Sequence, residues 1–470
     1  MSVPNPPGCS RCAELEKQLA ELAKKLRLLE EKLEHTQRES KKQTVKFPRN
    51  KRTQNPKKPG RKGGHQQHKR AIPPVIDQQI DVPVPTVCPD CQIPLTVVTH
   101  QQFQTDIPPV QPTTIQFNVQ VGTCPCCELR IQGRHEQQVS DALGGANHVI
   151  GANAQGLAAH LKHKLGASYQ KISDFFQTAF QLKSRPSTWV RAGYRLAKKL
   201  GPTVSQLWRQ LRESDVIHAD ETGWRIGSAS YWLWVFCNQE ITLFDIAPCR
   251  GHEVVLQNVG PEYRGVMVCD GLASYDPLPW NKQRCHAHLL KRIAGLQERF
   301  ADEPERDWEF SQLSDLRSLL DASAELKAEW DELSGRVYQR RTNQLERQLS
   351  DWLELNTASF PFPALLADEH PEFITLVRHV ETHQREWLRF LHYEEVDRTN
   401  NLGERQIRWG VITRKIGGCN QSESGAWKTR ILSSLLATCV QQSRSFLTLV
   451  DRILHNRAPT AISLETLPAC

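Results

Sequence analysis

At 470 residues, with 39% hydrophobic and 24% charged residues, the chain is too long for one ordinary core and should divide into about three modules. No apolar run approaches the roughly 18 residues of a membrane span, and no basic-then-apolar leader opens the chain, so a soluble, cytoplasmic protein is expected. The net charge of +8 is concentrated, because Lys41 to Arg70 carries twelve Lys or Arg and no acid, leaving the remainder slightly acidic. Fourteen cysteines, some in tight CxxC spacings, point to metal in a reducing compartment rather than to a disulfide framework.

Residues 1–40 predict a coiled coil. Leu15, Leu19, Leu22, Leu26, Leu29 and Leu33 repeat in steps of four and three, the seam of a heptad, and imply a homo-oligomer. Lys25 and Glu30 then fall at g and the following e, where they can pair between parallel chains. Cys9 and Cys12, a lone CxxC, read as free thiols. Residues 41–75 form a basic arm without apolar periodicity, extended until it meets a partner. Lys57, Lys58, Arg61 and Lys62, in Lys-Pro-Gly-Arg-Lys, are the candidate DNA contacts. They resemble arms that enter a minor groove and would bind phosphates in a salt-dependent manner.

Residues 76–140 carry Cys88-Pro-Asp-Cys91 and Cys124-Pro-Cys-Cys127, separated by 32 residues. Two such knuckles suit a structural four-thiolate zinc site formed by Cys88, Cys91, Cys124 and Cys127, with the run through Phe103, Ile107, Ile115, Phe117, Val119 and Val121 as a β-ribbon. Residues 141–213 change to helical periodicity, with breaks near Gly166 and at Arg185-Pro186. Tyr169 to Leu200 reads as two helices around a turn, either a DNA-binding helix-turn-helix or a helical bundle made for packing alone.

Residues 214–455 predict a catalytic domain, followed by a tail over 456–470. An alternating strand from Val216 should deliver Asp220 to the rim of a sheet before a Thr-Gly turn. Two further strands, Tyr231 to Cys237 and Ile241 to Ala247, should form a meander. A helix then leads to a fourth strand ending in Asp270. This order is that of a ribonuclease-H-like core, in which the first and fourth strands are neighbours and their acidic ends meet. Alternation of side chains favours Asp220 over Glu221 as the partner of Asp270. Cys285 and His288 have metal-ligand spacing but no second pair close by in sequence, so a packed cysteine and a hydrogen-bonding histidine are expected. Residues at about 293–397 read as an α-helical insertion. Asn400-Asn401 should cap a helix that carries Glu404 on its first turns, with Arg405 and Arg408 beside it as further DNA contacts.

The order of zipper, basic arm, two CxxC knuckles, His218-Ala-Asp220-Glu221-Thr222, Asp270-Gly271 with Tyr275, Cys285-x-Ala-His288 and Asn400-Asn401-x-x-Glu404-Arg405 resembles bacterial insertion-sequence transposases of family sixty-six, of the DDE type. Gln92 stands where that family usually has glycine. The resemblance implies a multidomain α/β protein with Asp220, Asp270 and Glu404 as the catalytic triad. It also implies Mg2+ (or Mn2+) on those carboxylates, and double-stranded DNA, both element ends and target, as substrate. Small accessory proteins of the same element are implied as partners, with nucleoid association in a bacterial cytoplasm. The competing expectation is a catalytically inactive DNA-binding protein derived from such an enzyme.

Overall fold

The computed structural model describes residues 72–108, 110–144, 148–301, 303–357, 371–456 and 460–469. The expected coiled coil, and Lys57, Lys58, Arg61 and Lys62 of the arm, lie outside the described residues. The chain divides into two units, 1–109 and 110–470.

In the first unit, residues 72–108 hold neither helix nor strand. Their ordered feature is the Cys88–Cys91 turn, closed by an isolated bridge between Val87 and Pro94. The expected ribbon is not formed as drawn, since Phe103, Ile107, Ile115, Phe117 and Val119 lie in no strand. Ile107 and Ile115 are 82% and 57% exposed, and alternation alone does not sustain strands that have no second layer to bury them. In the second unit a ribbon does form around the second knuckle, where β1 (Val121–Thr123) pairs antiparallel with β2 (Arg130–Gln132).

Three helices come next in the second unit: α1 (Ala152–His163), α2 (Tyr169–Phe180) and α3 (Pro186–Arg212). The turn after α1 is made by Gly166, whose φ of +69° suits glycine. Pro186 at the first turn of α3 supplies the fixed φ that a helix start requires.

A five-stranded sheet of order β5-β4-β3-β6-β7 is the centre of this unit. It comprises β3 (Val216–Ile226), β4 (Ala229–Cys237), β5 (Thr242–Ala247), β6 (Val266–Cys269) and β7 (Asn281–Arg284). The first three form an antiparallel meander, and β6 lies parallel to β3 on one side and to β7 on the other. Helix α4 (His252–Val259) makes the crossover between β5 and β6. Two expectations need correction. Thr222-Gly223 is not a turn: β3 runs on to Ile226 because β4 pairs with it from His218 to Ile226, and Trp224 and Ile226 are buried there. Strand β7 was not anticipated, since its Asn-Lys-Gln-Arg sequence has no apolar residue.

One face of the sheet presents Ile217, Ala219, Trp234, Phe236 and Met267 to a core shared with α3 and α4. On the other face, α5 (His286–Phe300), α6 (Asp307–Ala328), α7 (Gly335–Asn356), α8 (Pro371–Thr382) and the short α9 (Gln384–Trp387) gather over Val216, Val266 and Val268. Beside them α10 (Asn401–Gly417) crosses β3 and β4. It comes very close, because a Cβ on Gly410 would sit 2.1 Å from Leu233 Cδ2. The apolar helix α11 (Glu423–Gln441) closes the β5 edge, and α12 (Phe446–His455) packs on α1. No described helix is long and apolar enough to cross a membrane.

Candidate active site

Strands β3 and β6 are paired in parallel with Val216 opposite Val266 and His218 opposite Val268. The same offset carries Asp270 to the level of Asp220, just where β6 ends. The carboxylates of Asp220, Glu221 and Asp270 accordingly lie with oxygens within 4.8 Å of one another. Bringing Asp220 and Glu221 together corrects the expectation that alternation would separate them. Alternation fixes opposite Cβ directions within a paired strand, but past the end of β6 no neighbouring strand divides the two faces. Asp270 can then approach both acids.

The two neighbours nevertheless have different surroundings. Glu221 is almost wholly buried and committed: its Oε1 accepts from Arg250 Nε and Nη2 at 2.9 and 2.5 Å, and its Oε2 accepts from Tyr275 Oη at 3.1 Å. Asp220 lies on the face toward α10 and is partly open. Its Oδ1 accepts from the Glu221 N–H at 2.9 Å. Burial first, then the charges of Glu221 and Asp270, push the Asp220 carboxyl up to about 8, with Glu404 adding to the effect. Glu221 is also raised, by burial and Asp270, against the opposing pull of Arg250 and Tyr275. Such a cluster is short of positive charge.

Glu404 occupies the first turn of α10. Its carboxylate is 43% exposed and lies 3.7 Å from His288 Nδ1. Cys285, His288 and Glu404 form a second group of candidate ligands, also within 4.8 Å of one another. Cys285 is 1% exposed and accepts a hydrogen bond from the Asn400 N–H at 3.2 Å. The hydrogen bond with Cys285 leads in pushing His288 up to about 9, with Asp270 and Glu404 contributing charge. Spacing alone showed the Cys285 and His288 pair but not its third member.

Asn400 joins these parts. It was expected to cap α10, and its carbonyl does accept the Glu404 N–H at 3.0 Å, but its side chain makes no cap. Instead Nδ2 donates to the Ala219 carbonyl at 2.8 Å and Oδ1 meets His218 Nδ1 at 3.1 Å. The fully buried Asn400 amide thus has both its polar atoms partnered by groups of β3. A Cβ on Gly403 would lie 2.7 Å from Asn400 Oδ1, so the absence of a side chain there makes room for the clamp. On the same helix Arg405 and Arg408 are exposed, whereas Arg414 donates to the Gly223 carbonyl and to Thr222 Oγ1.

The two cysteine knuckles, each taken by itself, have one geometry. Cys88 N–H donates to Ile93 O and Gln92 N–H to Cys88 O, both at 2.9 Å; Cys124 N–H and Glu128 N–H repeat this with Leu129 O and Cys124 O at the same distances. Gln92 and Glu128 have φ of 58° and 56°. Backbone N–H groups of Cys91 and Asp90 lower the Cys88 thiol, and those of Cys127 and Cys126 lower Cys124. Turns that favour thiolate are suited to metal.

A comparison with curated proteins found no match. The family model described as Transposase IS66 family matches residues 148–428, from α1 through the five-stranded sheet and α10 to the start of α11. That span is more than half of the sequence and contains both groups of candidate ligands, and the chain belongs to the IS66 family of transposases.

Proposed function

We propose that this transposase is of the DDE type, cutting DNA at the ends of its element and joining them to target DNA with Asp220, Asp270 and Glu404 as metal ligands. The supporting observation is the shared register of β3 and β6, which sets Asp220 beside Asp270, with α10 carrying Glu404 across the same strand. The strand order and the parallel β3-β6 pair support the reading of a ribonuclease-H-like core. Glu404 is preferred over Glu221 as third acid because both Glu221 oxygens are occupied by Arg250 and Tyr275. Among the described residues, the Glu404 carboxylate accepts no hydrogen bond.

The donor set fits a hard divalent cation. Three carboxylates offer oxygens only, the ligands of magnesium or manganese, and the high proton affinity of Asp220 marks a place where positive charge is wanted. Bound there, such ions supply activation of the attacking oxygen and stabilisation of the leaving oxygen at a phosphodiester. The protein's own contribution is placement. Arg250 and Tyr275 fix Glu221 so that its charge bears on Asp220, and Asn400 holds α10 and β3 in one arrangement. Exposed Arg405 and Arg408 suit DNA phosphates flanking the cleavage point.

The same reading extends to the other modules. Each knuckle offers a pair of thiols to structural zinc, the basic arm adds sequence-independent DNA affinity, and the leucine heptads join protomers. Accessory proteins of the element and the nucleoid are the expected surroundings. The deciding experiment incubates the purified protein with duplexes bearing the element's terminal inverted repeats in magnesium. Glu404→Gln should abolish cleavage and joining while folding and DNA affinity persist, and Glu423→Gln and Glu395→Gln should remain active. Near wild-type cleavage by Glu404→Gln would remove it from the triad.

A further inference from the structure

Cys285 and His288 sit at the N-cap and third residue of α5. Residues three apart share a helix face, so both point toward Glu404. His286 between them turns the other way, buried, with Nε2 2.6 Å from the Trp387 carbonyl. The 3.7 Å between His288 Nδ1 and Glu404 Oε1 matches the donor separation of a tetrahedral site with bonds of about 2.0 to 2.3 Å, which is roughly 3.3 to 3.8 Å. Cys285 has two further features of a ligating thiolate. It lies at a helix N-terminus, where negative charge is favoured, and it accepts a backbone N–H, from Asn400, the kind of outer contact that steadies a metal ligand.

We propose that Cys285, His288 and Glu404 form a separate site for a borderline-soft divalent ion such as zinc or cobalt, with one coordination position left for water or a phosphate oxygen. Sulfur, nitrogen and oxygen donors together select such ions over magnesium, which prefers oxygen alone. Among the described residues this group and the Asp220 cluster are the two sets of three possible ligands. They share no residue and differ in donor chemistry. If Glu404 serves magnesium as proposed above, the same carboxylate cannot fully serve both sites, and a soft ion bound at Cys285 competes with the catalytic one.

The test reads metal binding, so it does not depend on DNA cleavage. Full-length protein, stripped of metal by a chelator, is titrated with Co2+, and its sulfur-to-cobalt absorption and bound ions per chain are followed. Wild type should take up about one ion more than His288→Ala or Cys285→Ser, one site holding one ion, and Glu404→Gln should weaken that ion at least tenfold. Cys91→Ser should leave this increment unchanged. His288 is 46% exposed on its side chain, so its variant tests the site even where the buried Cys285 variant fails to fold. Equal cobalt uptake and equal spectra in wild type and His288→Ala would overturn the proposal. If wild type also cleaved DNA in magnesium, only this site would be lost. The cobalt increment without cleavage would instead support this site and count against the DDE reading.

Discussion

Replacing Asp220 with Asn removes a charge that its surroundings oppose, so the metal-free variant should be more stable than wild type in mild alkali. The Asp220 carboxyl is raised from 3.8 to about 8, and each unit corresponds to about 1.4 kcal/mol. The ceiling is therefore about 6 kcal/mol. Asp220 keeps some solvent contact, and screening together with sharing of the proton among neighbouring acids reduces the expected effect to about 2 to 3 kcal/mol. The sign follows from proton linkage. Between pH 3.8 and about 8 the folded state holds a proton that the unfolded chain has released, so stability is greatest below this window and falls as pH rises through it. Denaturant unfolding in EDTA at pH 4 and 8.5, which span nearly all of the window, would measure it. Wild type should lose the 2 to 3 kcal/mol relative to Asp220→Asn on going to pH 8.5, and magnesium should restore stability to wild type alone. A difference between the two proteins that does not change with pH would refute the view of this cluster as a site that lacks a cation.

Asn400→Ala should cost about 2 to 3 kcal/mol in the same unfolding assay, because it leaves the Ala219 carbonyl and His218 without their buried partner. A loss under 1 kcal/mol would show that the clamp is dispensable. Gln92→Gly should strengthen the first knuckle, since Gln92 adopts φ of 58°, a conformation that costs a side-chain-bearing residue about 1 kcal/mol or more. Slower zinc release to a chelator would show this, and faster release would count against it.

Much of the fold could be read because its strands carry a strong signal. Val216 to Trp224, Tyr231 to Cys237, Thr242 to Ala247 and Val266 to Cys269 are rich in β-branched and aromatic residues, and they form four of the five strands of the sheet. Strand β7 could not be found this way. Its Lys282, Gln283 and Arg284 are buried polar groups, stabilised by the Leu278 carbonyl, the Trp387 carbonyl and the Glu386 carboxylate. Those partners lie as far as 104 residues away, beyond any local pattern. Glu221 was passed over for a related reason. Alternation is a rule about paired strands, and the site lies where the pairing of β3 with β6 stops.

The same contacts change what the segment at 293–397 is for. Read as sequence, it interrupts the catalytic domain between Asp270 and Glu404. In the fold its residues support Asp270 directly. Glu386 at α9 accepts from Arg284 Nε at 2.7 Å, and Arg284 in turn donates through Nη1 to the Asp270 carbonyl at 3.1 Å. Trp387 beside it receives Gln283 and faces His286, which anchors the start of α5, and the Cys285 N–H donates to the Cys269 carbonyl at 2.9 Å. Arg284 has no exposed side-chain surface and a second carboxylate partner in Asp276, so loss of Glu386 would leave a buried cation only partly compensated next to the strand end that precedes Asp270. Helices that look peripheral in the sequence thus set the position of an acid more than one hundred residues upstream. Trimming them as a dispensable insertion would disturb Asp270 before it disturbed the rest of the sheet.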